Sequence, residues 1–135
     1  MYTIIPEQLP LLTNVGLLVP LFLVDTVIPR FFYTLICCTY LVSFLFWQDP
    51  IVFRYSIVHK MHTLLSRVTI SSFIIYKFFF YTANNGLFFF HLACMMFCFL
   101  FSQYYSEQQW CCDYHLFWHM GAHLFASRCI YLALI

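Results

Sequence analysis

Apolar and polar positions along this chain fall into long blocks rather than into the short alternation of a β-protein. Residues 11–28 form a largely apolar run interrupted by Pro20 in the middle and carrying Asp25 near the far end, and Pro29-Arg30 makes a tight turn. Residues 31–47 contain no charge and stop at Gln48-Asp49-Pro50, where the proline disfavours helix at the residue before it. Residues 51–62 are mixed, punctuated by Arg54, His59 and Lys60, and read as an interfacial connection. A third apolar block, 63–82, carries Arg67 near its start and Lys77 inside it, and Asn84-Asn85-Gly86 then signals a turn. Residues 87–102 are uncharged but include His91; the polar stretch 103–109 separates them from a last block, 110–135.

These runs approach the roughly 20 residues that a helix needs to cross the hydrocarbon core. They predict an all-α fold, a polytopic transmembrane helical bundle of about five spans, forming a single domain over residues 1–135. The count is four to five, because the first block is short, contains Pro20 and fits a re-entrant or interfacial segment as well as a crossing. Barrel-type alternation is absent from runs such as LICCTYLVSFLF. Trp47, Tyr55, Tyr104, Tyr105, Trp110 and Tyr114 fall at or beside the span ends, where amphipathic rings favour the bilayer interface.

Composition sharpens this. Only 8% of the residues are charged and 64% are hydrophobic, against about a quarter charged in an ordinary soluble domain, so a water-soluble surface could not be covered. The lipid bilayer is the first implied partner, with a lipid substrate and other membrane proteins as further candidates. A net charge of +1 offers no basic face for nucleic acid. The start, MYTIIPEQLPLL, lacks a basic region and a small-residue cleavage site, so no removable signal is expected. Arg54, Lys60 and Arg67 cluster around the connection between the second and third spans, which by the positive-inside tendency places that connection and the N-terminus in the cytoplasm. Seven cysteines, two pairs of them adjacent, suit packing better than a disulfide framework, and no CxxC pair has zinc-finger spacing.

The densest candidate chemistry lies in the last block, where His115, His119 and His123 occur within nine residues. Residues four apart on a helix differ by about 40° around the axis, so His115 and His119 share a face and can chelate one metal ion, whereas His123 lies about 80° from the first. Imidazoles that hydrogen-bond between helices are the competing structural explanation. Crossing parity puts Ser43, His59, His62, Asp113, His115 and His119 on one membrane side, and His91 and Asp25 toward the other. Asp113 is the nearest carboxylate in sequence, but two residues from His115 it points elsewhere and can cap the helix start.

Ser43 with Trp47 at a span end, His59 and His62 opening the next span, and His115-Leu-Phe-Trp118-His119 in the last together resemble the superfamily of membrane hydrolases that contains the alkaline ceramidases and the progestin and adiponectin receptors. The resemblance covers about residues 43–67 and 113–127. It implies a zinc cofactor held by three histidines, drawn here from His59, His62, His115 and His119, and a water activated to attack a lipid amide or ester. Ser43 and Asp113 would be the catalytic candidates. Trp47 stands where that superfamily has its first zinc histidine. A catalytically inactive relative is an equally admissible form of this reading. The alternative is a small membrane subunit of a larger complex, either non-catalytic or ligating haem through His91 and His119. A transporter would favour helices broken in corresponding places of two halves, and Pro20 has no counterpart.

Overall fold

The computed structural model describes residues 4–25, 27–80 and 84–135. Among these it contains six helices and no strand: α1 (Pro10–Val15), α2 (Val19–Leu23), α3 (Arg30–Gln48), α4 (Ile57–Phe79), α5 (Asn85–Gln108) and α6 (Asp113–Leu134). Two of them, α3 and α5, are long and apolar enough by length and composition to cross a membrane. At 23 and 22 residues, α4 and α6 match them in length but carry most of the polar side chains.

The first apolar block is not one helix. It breaks after Val15 into turns, resumes as α2 with Pro20 in its first turn, where a missing N–H costs nothing, and becomes extended at Val24. Ser127 of α6 donates a hydrogen bond to the Gly16 carbonyl at the break, which also accepts from the Val19 N–H, and so ties the turn to α6. Two other boundaries move outward. α4 begins at Ile57 rather than at residue 63, because Ser56 accepts a hydrogen bond from the His59 N–H and caps the helix there. α5 runs on through the polar residues 103–108, since a long helix tolerates polar residues on its exposed turns. The far end of the predicted third span falls partly on residues 81–83, outside the described ones.

The closest pairings are α5 with α6 and α3 with α4, each a sequence-adjacent hairpin. At Gly121 an added Cβ would come within 3.1 Å of Cys98 Sγ, so the α5–α6 approach depends on the missing side chain. Thr39 and Thr69 share a 2.6 Å hydrogen bond that pins α3 to α4. Two cores form. One gathers Phe32, Ile36, Phe73, Phe88 and Ile130, with the Phe32 and Phe73 rings stacked at 4.7 Å. The other, at the opposite end of the helices, gathers Phe46, Trp47, Cys111 and Leu116. Lys77 is buried near the first, its ammonium 5.8 Å from the Phe88 ring, a cation over an aromatic face. By contrast α4 and α5 scarcely touch, and a cleft lies between them.

Candidate functional site

The cleft has a volume of about 780 Å³ and divides by chemistry along its length. Ile70, Ile74, Met95, Met96 and Phe99 line its apolar half; Ser43, Trp47 and the histidines 59, 62, 115, 119 and 123 line the other.

Trp47 is the centre of this second half. It is fully buried, and its ring centroid lies 4.6 Å from that of His119, 6.3 Å from His115, 6.4 Å from His62 and 6.5 Å from His123. His119 in turn lies 6.1 Å from His62, 5.9 Å from His115 and 4.7 Å from His123. The predicted convergence of the last helix with the start of α4 is therefore present. Ser43 Oγ, Trp47 Nε1 and His62 Nδ1 are buried in this region without a hydrogen-bond partner. Such groups cost about 1–3 kcal/mol each when left unpaired, which makes the cluster a place where a polar ligand would be stabilised.

Hydrogen bonds sort the histidines by what their ring nitrogens can still do. The Cys111 N–H donates to His115 Nδ1 at 3.0 Å, while Cys112 Sγ accepts from the His115 N–H at 3.5 Å. α4 begins in the same way: the Tyr55 N–H donates to His59 Nδ1 at 3.3 Å and Ser56 Oγ accepts from the His59 N–H at 3.3 Å. Each is a variant of the capping box with histidine at the third position, its ring accepting from the N–H of the residue before the cap, and that residue, Tyr55 (φ 67°) or Cys111 (φ 56°), is left-handed. An Nδ1 that accepts is unprotonated, so in a neutral ring Nε2 carries the hydrogen. His59 and His115 thus present Nε2–H donors and not lone pairs for a metal.

His123 is the reverse case. Thr13 Oγ1 gives its hydrogen to the Pro10 carbonyl, so at 3.1 Å it accepts from His123 Nδ1–H and leaves His123 Nε2 a free lone pair. His119 Nδ1 lies 3.2 Å from Ser102 Oγ. The histidines of the cluster whose ring nitrogens are not spent on a helix cap are therefore His62, His119 and His123. Two of the four predicted ligands serve helix caps instead, and His123, set aside on helical angle, joins the cluster. As they stand, no three His, Cys, Asp or Glu side chains among the described residues are arranged to hold an ion.

Of the two predicted catalytic groups, Ser43 lines the cleft and Asp113 is occupied elsewhere. Asp113 sits in the first turn of α6 and accepts from the Ile4 and Ile5 N–H groups at 3.1 and 2.9 Å, tying the N-terminal segment down. Asp25 is exposed beyond α2. His91 donates its Nδ1–H to the Leu87 carbonyl at 2.8 Å and packs on Phe125. Ser102, which holds His119, is eleven residues further along α5, about 16 Å by helical rise, so His91 and His119 do not flank one haem. Outside the helices, burial pushes the Cys111 thiol up to about 12. The sequence did carry a signal for the caps, since Ser56-x-x-His59 and Cys112-x-x-His115 share one spacing.

No known family, curated protein or solved structure matches the chain.

Proposed function

We propose that the chain is a multi-pass integral membrane protein of the zinc-dependent lipid amide or ester hydrolase type, receiving a lipid in the cleft between α4 and α5. The observation that supports it is the gathering of His62, His119 and His123 around Trp47 beside an unpartnered Ser43 hydroxyl, in a cleft whose other half is apolar. The membrane part draws support from outward faces that stay apolar, including Leu41, Phe44, Phe90, Phe97 and Leu100.

His62, His119 and His123 would hold the zinc, with their rings turned to bring three nitrogens to one point. Two histidines ligating one tetrahedral zinc have ring centroids about 5 Å apart, close to the 4.7 and 6.1 Å spacings about His119. Zinc supplies a Lewis acid that polarises a carbonyl and makes water nucleophilic near neutral pH. Ser43 Oγ–H is free to donate to an oxyanion developing on the lipid carbonyl, and the His59 and His115 Nε2–H groups are further donors at the cleft wall. Trp47 Nε1–H adds a fourth.

Metal analysis of the detergent-purified protein, expressed with zinc present, tests this reading. About one zinc per chain is expected, retained in His115→Asn and lost in His119→Ala. A zinc-free wild-type protein defeats the hydrolase reading and leaves the second one, a non-catalytic relative. One observation favours that second reading: an indole, which cannot ligate zinc, occupies the middle of the imidazoles.

A further inference from the structure

We infer that the lipid taken up by this cleft is anionic, with a phosphate-bearing headgroup seated against Arg67 and His59 and its chains in the apolar half; the inference rests on the cleft's being a lipid site. Arg67 stands four residues inside the third apolar block, about 6 Å along the axis of α4, and its side chain is exposed. A cation just inside the end of a span is placed to meet a counter-charge such as a lipid phosphate. Among the described residues Arg67 has no ion-pair partner, and Glu107, which lines the same cleft from α5, forms none with it.

The surroundings supply the rest of an anion site. A smaller pocket of about 260 Å³ adjoins the cleft, lined by His59, Lys60, Thr63, Leu64 and Arg67, and three of these residues line both. Arg67 and His59, about two turns apart on α4, face this pocket together with Lys60. His59 contributes an Nε2–H, because its Nδ1 is spent on the Tyr55 N–H. Thr63 and Ser66 give their hydroxyl hydrogens to the His59 and His62 carbonyls, which leaves the cations and the imidazole as the donors. Arg54 also lines the cleft, its guanidinium 4.7 Å from the Tyr55 and Trp110 rings. A phosphate monoester, with a charge of about −1.5 to −2, matches several cations better than a single carboxylate does, and it can take the guanidinium fork with two oxygens.

The test is equilibrium binding to the detergent-purified full chain of three probes: phosphatidic acid, phosphatidylcholine of the same acyl chains, and inorganic phosphate. Phosphatidic acid is expected to bind about tenfold or more tightly than phosphatidylcholine, and Arg67→Gln to remove that preference while phosphatidylcholine binding persists. Arg30→Gln, at the start of α3 and outside the cleft, is expected to keep it. On the wild-type protein, where folding is not in question, raising the salt from about 0.05 to 0.5 M is expected to weaken phosphatidic acid alone. Equal affinity for the two lipids, or a preference indifferent to both salt and Arg67, overturns the anionic headgroup and spares the lipid site. Inorganic phosphate binding as tightly as phosphatidic acid overturns the lipid as its source. Failure of both lipids to bind sinks the lipid site and this inference together.

Discussion

Replacing His115 by alanine removes the acceptor for the Cys111 N–H, and replacing His59 removes the equivalent acceptor for Tyr55. The bonds are alike but the burial is not: Cys111 is 2% exposed and Tyr55 is 74% exposed. An orphaned N–H at Tyr55 recovers water, so His59→Ala is expected to cost about 1 kcal/mol, the ordinary loss of a cap. At Cys111 the N–H stays dry, at about 1–3 kcal/mol, and the lost ring leaves a void beside Trp110, whose centroid is 4.9 Å away. The expected total for His115→Ala is about 2–4 kcal/mol. His115→Asn, with a shorter side chain that still offers an acceptor, should recover part of it. Reversible unfolding in mixed detergent micelles measures both. A difference between the two alanine variants below about 0.5 kcal/mol would refute the claim that burial sets the cost of these caps.

Three further outcomes are expected. The raised pKa of the Cys111 thiol favours the protonated form in the fold, a contribution complete below pH about 9 and lost as the pH rises toward 12. At pH 8 only about one thiol in ten thousand is ionised, so peptide mass spectrometry should find Cys111 unalkylated in the native state and modified after unfolding. Gly121→Leu should destabilise the α5–α6 pair by about 1–3 kcal/mol through overpacking, with Cys98→Ala restoring part of it in the same unfolding assay. Cysteines introduced near Asp49 and Gln108 should label from one membrane face and those near Asn84 from the other; labelling of all three from one face would remove the multi-pass arrangement.

The helical class was legible because blocks such as residues 31–47 admit little else. Ends were less so: α4 begins at Ile57 and not at 63 because one serine hydroxyl and one imidazole hold its first turn, and His59 read as a polar interruption rather than as part of a cap. The convergence of α4 and α6 histidines followed from crossing parity, yet which rings keep a lone pair did not. That depends on hydrogen bonds to Cys111, Tyr55 and Thr13; two of those three partners are backbone groups and the third lies more than a hundred residues away. His123 was set aside on helical angle, but His119 lies between it and His115, so a cluster centred on His119 includes both.

Because α4 and α5 scarcely touch, the cleft is a slot in the side of the bundle rather than a well sunk from one end. In a bilayer such a slot faces acyl chains. A ligand that reaches it sideways is drawn from a two-dimensional solution whose composition is counted in mole fraction, where one lipid in a hundred is already a high dose. Occupancy would then follow the make-up of the membrane in which the protein resides, and a weak intrinsic preference for one headgroup would suffice to keep the slot filled.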